Sequence, residues 1–542
     1  MYGETYIGIV TDTIKSAWET QREELGRAAD LLAGAVTGGG GIFIFGCSHA
    51  GILAEEVFYR TEMCIRDRVN PYRVSTSLSD STVNALKAAE KSVFNTHPEW
   101  VKTSASRYVL DPGIPAARQW VEECVLEAVQ NYDIDAVHFD DYFYYESDAS
   151  PLEDDDAFAA YGGEFQSKGD WRRNNTYLLV RELSEKLNAA KPYVKFGISP
   201  AGVWGNKSDH PEGSDTRAGL PNYDAAYADT KRWVEEELID YIAPQVYWSF
   251  GLKAAPFGTV ASWWAQTVKG KNVALYIGEA AYKVNDASLQ ESDPLFASNG
   301  MEELARQLTF NLARPEISGS ILFSARNLNG PEYRLLPDAL WKQKALVPVM
   351  DWKRGAKPRP PALEGVDFSQ SGVTLRWTDT DPDTSYFAIY RFEAEETPDI
   401  NKPGRLLATL RKTGAAQSFT DKSSPSRGST YVVTSVGRLH QESEPAAYTL
   451  PNGILDQEGK PLTTAGLSAA TAFRIQDGGL AHLPAMALYF NAAGRLVACE
   501  SPAKTVLDGQ LVFSGLHIPQ DAARVKLYLL QGAQTKEFSS AV

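Results

Sequence analysis

Between residues 69 and 346, short apolar runs alternate with longer stretches in which apolar residues recur every three to four positions. The short runs predict β-strands, and the longer stretches predict amphipathic helices. Strands that alternate with helices are typical of a parallel α/β fold. The predicted strands cover 136–140, 195–199, 241–247, 273–277 and 320–324. The predicted helices cover 116–131, 175–190 and 223–237.

The pattern changes beyond residue 350 to an alternation of apolar and polar residues, which predicts strands with one buried face. Residues 351–361 are rich in proline and are predicted to be a linker. The strand spacing in 362–450 resembles a fibronectin type III sandwich, with Trp377 and Tyr431 in the core. Residues 452–542 are predicted to form a small C-terminal β domain.

The sequence pattern of residues 1–61 predicts a long helix, a strand at 41–45, a turn that contains Ser48, and a second helix. This order resembles the start of a sugar isomerase (SIS) domain, in which such a turn binds the phosphate of a sugar phosphate. A tight turn without a ligand fits the same residues. Because only one strand of the family's five-stranded sheet is present, the segment is predicted to be a fragment.

The peptide at residues 62–68, Glu-Met-Cys-Ile-Arg-Asp-Arg, resembles the translation of a transposon-type sequencing adapter. Directly after it, Val69 begins the middle of an unrelated pattern. We interpret residues 62–68 as an adapter-like junction, which makes the chain a chimera rather than a natural fusion.

The composition narrows the classes of partner. The chain has 542 residues, too many for one hydrophobic core, and a formal net charge of −16. Such acidity argues against a nucleic-acid or anionic-membrane partner. The four cysteines lack the spacing of a disulfide framework or a metal site, so neither a metal nor a cofactor is expected. Without a transmembrane run or a signal-peptide pattern, the chain as written is expected to be a cytoplasmic monomer.

The two-residue period of a β-strand separates side chains that face a barrel interior from those that face the helices. In strand 136–140, Val137 and Phe139 take the outward face, which leaves His138 and Asp140 pointing inward. The carboxyl ends of the strands carry the active site in a parallel barrel. A polar inward face at the end of this strand therefore predicts a functional site.

Two further strands support the same site. In strand 241–247, Gln245 and Tyr247 take the inward face, and in strand 195–199 the inward residue is Ser199. A purely structural barrel would place Val, Ile or Leu at these positions. The three strands are therefore predicted to bring polar groups together.

Two carboxylates that flank a bound substrate can act as an acid and as a nucleophile or base, as they do in glycoside hydrolysis. Asp140 and Asp141 directly follow an apolar strand and are the first candidates, although they could instead cap the next loop. Glu279 follows strand 273–277 and is the candidate second carboxylate, although strict parity places it on the outward face. The weaker alternatives are Asp209 and Asp215, and the excluded positions, which precede a strand, are Asp133 and Asp135.

An ordered set of motifs spans residues 70–325. Its members are Asn70-Pro71-Tyr72-Arg73, Leu110-Asp111-Pro112-Gly113, His138-Phe139-Asp140-Asp141-Tyr142, Trp171-Arg172-Arg173-Asn174, Gly197-Ile198-Ser199-Pro200, Ala243-Pro244-Gln245-Val246-Tyr247-Trp248, Leu275-Tyr276-Ile277-Gly278 and Phe323-Ser324-Ala325. The set resembles the bacterial glycosyl-hydrolase-like family ten, which includes many predicted envelope lipoproteins. The resemblance implies a (β/α)₈ TIM-type barrel, distantly similar to α-amylases, and an exported, periplasmic or cell-envelope enzyme.

The resemblance also implies the ligand and the roles of residues. The implied substrate is a bacterial cell-envelope polysaccharide, with peptidoglycan strands as one case. In the amylase-like pattern a basic residue precedes the strand-four nucleophile by two positions, which His138 and Asp140 match. Arg73 would orient a carboxylate or a sugar hydroxyl. The predicted substrate-binding residues are Asn70, Arg73, His138, Tyr142, Ser199, Trp204, Gln245, Tyr247 and Trp248.

One departure from the family concerns the start of the barrel. Family members have two strand–helix units and half of strand three before the Asn-Pro-Tyr-Arg motif, where this chain has residues 1–68. Six strands cannot close an eight-stranded barrel, so an incomplete barrel with exposed edges is expected.

Two alternatives remain open. One is a non-catalytic glycan-binding envelope protein, and the other is a sugar-phosphate isomerase or regulator based on residues 1–61. A second carboxylate within about 5–10 Å of Asp140 would favour the hydrolase over the binding protein.

Overall fold

The computed structural model describes residues 66–75, 77–88, 92–140, 143–144, 151–369, 372–393, 396–423, 429–450, 453–460, 462, 464–475, 478–531 and 534–539. The chain divides into two compact units. The first runs to Lys342 and also contains Pro348–Gly355, and the second comprises Gln343–Val347 and Ala356–Val542. No helix among the described residues is long and apolar enough to span a membrane.

The first unit is built on a parallel sheet of six strands and a separate two-stranded hairpin. Its strands are β1 (Arg66–Val69), β2 (Val101–Ser104), β3 (Arg107–Leu110), β4 (Ala136–Phe139), β5 (Lys195–Ile198), β6 (Tyr241–Ile242), β7 (Ala274–Glu279) and β8 (Ile317–Leu322). The parallel sheet has the order β1-β4-β5-β6-β7-β8, and the hairpin pairs β2 with β3.

Helices connect the strands of the parallel sheet, as the alternating pattern predicts. They are α1 (Asp80–Ala88), α2 (Val93–Thr96), α3 (Pro115–Asn131), α4 (Asp155–Tyr161), α5 (Lys168–Ala190), α6 (Asn222–Ala225), α7 (Thr230–Glu235), α8 (Phe257–Val268) and α9 (Pro294–Leu312). Short 3₁₀ or π turns follow β7 and β8 at Ala281–Lys283, Ala287–Leu289, Ala325–Asn329, Pro331–Arg334 and Leu336–Leu340.

The expectation of six parallel strands is confirmed within the described residues. Strands β1 and β8 lie at the two ends of the strand order, and the pairings of described strands do not join them. Strand β1 includes three residues of the adapter-like peptide, and Arg66 pairs in register with Ala136 of β4. The junction peptide therefore supplies three of the four residues of a strand that, by the family resemblance, other members build from their own sequence. The incomplete TIM-type barrel with exposed edges stays a prediction.

Three predicted elements differ from the observed ones for local reasons. Helix α5 begins at Lys168, earlier than predicted, because the Ser167 side chain caps it by accepting the Asp170 N–H. The predicted helix at 223–237 is two short helices, since Tyr227 between them has a φ of +48°. Strand β6 ends at Ile242, and Pro244 beyond it has no N–H to donate to a neighbouring strand.

The outward face of the sheet and the inward faces of the helices share one large apolar core. Val137 and Phe139 of β4 are buried in it, together with Phe196 and Ile198 of β5. The parity predicted for these two strands is therefore confirmed. Burial of these apolar side chains between the sheet and the helices is expected for parallel strands that helices cover.

Met350 and the first residues of the predicted linker pack against the sheet. Met350 is buried with Tyr241 and Ala274, and Trp352 lies against the same group. Lys353 donates from its buried Nζ to Asp240 Oδ2 at 2.9 Å and to the Val194 carbonyl at 2.9 Å. Residues 350–353 thus belong to the first unit, because their apolar and charged groups find partners near the amino ends of the sheet strands.

The second unit contains two successive β regions. The first has seven strands, β9 (Ala362–Ser369), β10 (Gly372–Thr378), β11 (Thr384–Phe392), β12 (Leu406–Arg411), β13 (Ala416–Asp421), β14 (Thr430–Gly437) and β15 (Ala446–Thr449). They form two antiparallel sheets, β13-β10-β9 and β12-β11-β14-β15. Trp377 and Tyr431 are fully buried between these sheets, as predicted. The fibronectin type III assignment stays a prediction.

The second β region also consists of two antiparallel sheets. It contains a short helix, α10 (Thr464–Leu467), and seven strands, β16 (Phe473–Ile475), β17 (Ala485–Asn491), β18 (Leu496–Glu500), β19 (Ala503–Leu507), β20 (Gln510–Ser514), β21 (Ala522–Gln531) and β22 (Gln534–Ser539). The sheets have the orders β16-β20-β19 and β18-β17-β21-β22, and their apolar faces form one core. The described residues between 453 and 539 therefore form a mostly β structure, and their assignment as a separate C-terminal domain stays a prediction.

Candidate active site

Asp140 lies immediately after β4, at the carboxyl end of the parallel sheet. Its Oδ1 accepts a hydrogen bond of 3.2 Å from Nε2 of Gln245, which lies beyond β6. Two strand ends that are not neighbours in the sheet are thereby joined, because β5 lies between them. An amide donor stabilises the ionised form of a carboxylate, which is the form that a nucleophile or base requires.

Gln245 is held in place from both sides. Its Nε2 also donates to the carbonyl of Ser199, at 3.0 Å, and single β-bridges connect it to Ala201 and to Gly278. The hydroxyl of Ser199 donates to the Ala243 carbonyl at 2.8 Å. Ser199 thus presents its carbonyl oxygen to Gln245, while its hydroxyl fixes the chain after β6.

His138 is buried on the inward face of β4, two residues before Asp140. Its Nδ1 forms a hydrogen bond of 2.8 Å with the Tyr241 hydroxyl, and the two rings stack with centroids 5.7 Å apart. Gly197 makes room for this pair, since a Cβ there would lie 2.0 Å from the Tyr241 ring. The structure therefore places the imidazole in an interior polar pair with a tyrosine.

Tyr247 and Trp248 continue the chain beyond Gln245, and both are half-buried. The Tyr247 ring lies against Gly278, where a Cβ would be 3.5 Å from its Cε1, and the same Cβ would be 3.3 Å from the Cα of Gln245. The Trp248 ring packs against Gly202, where a Cβ would meet it at 2.7 Å. The structure thus places the Tyr247 ring near Gln245, whereas the Trp248 ring packs against Gly202 and the apolar core.

The remaining predicted binding residues lie after β1 and β4. Asn70 and Arg73 close a turn in which the Arg73 N–H donates to the Asn70 carbonyl at 3.1 Å, and both side chains are half-buried. Asp141 and Tyr142 lie outside the described residues.

Glu279, at the end of β7, is fully buried. Its Oε1 accepts hydrogen bonds from Asn311 of α9 at 2.5 Å and from the Ser320 hydroxyl of β8 at 2.9 Å. Burial raises the pKa of this carboxyl well above its usual range, and the two donors offset only part of that effect. A side chain bonded to α9 faces the helix layer, as strict parity indicates. This placement removes the geometric support for Glu279 as the second catalytic carboxylate.

Trp204 also differs from its predicted role as a substrate-binding residue. Its ring is only 6% exposed and lies in an aromatic group with Trp263, Tyr223 and His210. Its indole N–H donates to Asp229 Oδ1 at 2.9 Å. The aromatic residues of the loop after β5 are buried against one another, so Trp204 packs in the core.

A buried polar group that the sequence reasoning left without a role lies beside the loop after β4. Asp111 is fully buried, its Oδ1 accepts the Gly113 N–H at 2.9 Å, and burial raises its pKa to about 6. Arg172 forms a forked ion pair with buried Asp154 at 2.7 and 2.8 Å, and its guanidinium lies 5.3 Å from the Tyr144 ring. The sequence contained a signal for this group, because Asp111 and Arg172 belong to two of the motifs that carry the family resemblance.

Among the described residues, no group of three or more His, Cys, Asp or Glu side chains could hold a metal ion. The site therefore consists of one described carboxylate, an amide that orients it, and aromatic rings. Such a mixture of polar and apolar groups at strand ends is suited to a neutral, hydroxyl-rich ligand.

Comparisons with known proteins agree with these features. The sequence model of the family described as glycosyl hydrolase-like 10 matches residues 68–297. Glycosyl hydrolase YngK of Bacillus subtilis is 42% identical over 392 residues, which cover 70% of this chain and 74% of YngK. Glycosyl hydrolase DigH of Escherichia coli K12 is 49% identical over 267 residues, which cover 48% of this chain and 60% of DigH.

The N-terminal region matches a different family. The sequence model of SIS domains matches residues 5–95, so the two matches overlap from residue 68. A UPF0309 protein of Shouchella clausii is 39% identical over 59 residues, which are 11% of this chain and 24% of that protein. The predicted SIS-like fragment at 1–61 lies outside the described residues. The match to the SIS model agrees with the resemblance of residues 1–61 to the start of such a domain.

Proposed function

Because the chain belongs to the glycosyl hydrolase-like 10 family, we propose that it is a glycoside hydrolase that cleaves a bacterial cell-envelope polysaccharide at Asp140. The observation that carries the proposal is the hydrogen bond between Asp140 and Gln245 at the carboxyl ends of β4 and β6. The choice of an envelope glycan rests on the resemblance of the motifs to a family rich in envelope lipoproteins.

In this proposal Asp140 acts as the nucleophile or the base, since its described partner is a hydrogen-bond donor that favours the carboxylate. The second carboxylate supplies the proton to the leaving oxygen. Asp141 is the candidate for this role, because it is adjacent to Asp140, whereas Glu279 is bonded to the helix layer.

The sheet must also be complete for a substrate to be enclosed. Strands β1 and β8 lie at the edges of the described sheet, where the family places two more strand–helix units. We therefore propose to test activity in two proteins: the chain as it stands, and a version in which the first strand–helix units of YngK replace residues 1–68.

The experiment measures the release of reducing ends from peptide-free peptidoglycan strands, chitin and an α-glucan. Hydrolysis of peptidoglycan strands by the completed protein supports the proposal. Hydrolysis of another glycan alone would assign that glycan as the substrate class instead. Binding of a glycan without any hydrolysis would instead support the non-catalytic binding protein, which the burial of Glu279 favours as the second candidate.

A further inference from the structure

Three aromatic side chains form a cluster at the carboxyl ends of successive strands. Tyr247 follows β6, Tyr282 follows β7 and Phe323 follows β8. The planes of Tyr247 and Phe323 are 23° apart, with centroids separated by 6.1 Å. The Tyr282 ring meets each of them at 5.9 Å and 86°. The three loops thus present their rings as one unit.

Hydrogen bonds hold these loops together. The Tyr282 N–H donates to the Phe323 carbonyl at 3.0 Å, and Lys283 Nζ donates to the Tyr247 carbonyl at 2.7 Å. The Tyr333 hydroxyl donates to the carbonyl of Ala281 at 2.6 Å. A ligand that binds to rings fixed in this way loses little affinity to the ordering of the loops.

The cluster adjoins the Asp140–Gln245 pair and reaches solvent. Gly278 lies between Gln245 and the Tyr247 ring, with close approach to both. Tyr282 is 38% exposed although it contacts two other rings. Apolar packing alone does not require a ring at this exposed position, whereas an amphipathic ring at the edge of a site suits recognition of a ligand.

We propose that Tyr247, Tyr282 and Phe323 form a sugar-binding subsite that stacks on the apolar face of one pyranose ring of the polysaccharide. This inference rests on the proposed function, because the subsite serves a chain whose scissile bond lies at Asp140. One face of a pyranose carries several C–H groups, which an aromatic ring removes from water, while the sugar hydroxyls remain at the rim.

The test compares Tyr282→Ala with Tyr282→Phe in the full chain. Calorimetry measures the Kd for peptide-free peptidoglycan strands, chitin oligosaccharides and maltooligosaccharides. Loss of the ring should weaken binding of the recognised glycan about three- to tenfold, whereas Tyr282→Phe keeps the ring and should retain the native Kd. The matched control is Tyr177→Ala on the outer face of α5, where the ring stacks on Arg232 at 3.7 Å, and this change should leave Kd unaltered.

Phe323→Leu provides a second variant, because it keeps an apolar side chain but removes a ring. It should weaken binding in the same direction as Tyr282→Ala, with an unchanged thermal unfolding temperature. Native Kd in both variants would overturn the subsite and leave the role of Asp140 intact. An equal loss in Tyr282→Phe would assign binding to the hydroxyl and overturn stacking. If the unaltered chain bound no glycan, the subsite would be overturned, whereas the proposed function would still be decided by hydrolysis in the completed protein.

Discussion

Replacement of Glu279 by Gln tests whether this carboxyl is a buried structural group. The folded protein holds the Glu279 proton more tightly than the unfolded chain does, because burial raises its pKa above the ordinary value of 4.5. The contribution to stability is therefore fully present below pH 4.5 and is lost as the pH rises through the folded pKa. Within that window each pH unit costs the native protein about 1.4 kcal/mol.

Gln is the closest neutral match to the protonated side chain. Its Oε1 can accept from Asn311 and Ser320 as Glu279 does, and it does not titrate. We expect Glu279→Gln to be close to the native stability at pH 4.5 and to become the more stable protein as the pH rises. All other titrating groups are shared, so the difference between the two curves reports on this carboxyl alone.

The assay is urea unfolding of the first unit, monitored by tryptophan fluorescence at a series of pH values from 4.5 to 8. Glu316→Gln is the matched control, since this carboxylate just before β8 is 25% exposed and 3.6 Å from Lys269. Parallel stability curves for Glu279→Gln and the native protein would refute the reasoning. A large fall in kcat without a change in stability would return Glu279 to the catalytic machinery.

Three further substitutions test other parts of the account. Lys353→Met should destabilise the first unit by about 3–5 kcal/mol, because it leaves the carboxylate of Asp240 without its ammonium partner; native urea stability would contradict this ion pair. Trp204→Phe should lower the free energy of unfolding by about 1 kcal/mol, because the indole hydrogen bond is lost. The Kd for glycan should stay native, and weaker glycan binding would restore Trp204 as a binding residue. Gly197→Ala should destabilise by about 3 kcal/mol, since its Cβ would lie 2.0 Å from the Tyr241 ring, and an unchanged unfolding midpoint would show that the ring can move.

The sequence predicted the parts of the site that depend on strand periodicity. Val137 and Phe139 face the helices, and Asp140 meets Gln245, because side chains alternate strictly along strands whose ends share one edge. Parity also indicated the outward position of Glu279. The prediction of a catalytic role for Glu279 disregarded its outward parity. The hydrogen bond to Asn311 of α9 agrees with the outward position.

Other features depend on contacts between distant segments, which periodicity does not encode. The burial of Trp204 arises from packing among aromatic residues of one long loop and α8. The packing of Trp352 and Lys353 against the sheet was hidden by a proline-rich composition that is typical of linkers. Tyr282 carried no motif, and only the geometry of three loops brings it beside Tyr247.

The central claim, that Asp140 performs the chemistry, is tested most directly by kcat for Asp140→Asn in the completed protein. Asn is nearly isosteric but can serve neither as nucleophile nor as base, so kcat should fall by several orders of magnitude. Asp133→Asn, at the exposed amino end before β4, is the matched control and should retain native turnover. Full activity in Asp140→Asn, with the fold intact, would contradict the account and move the role to Asp141.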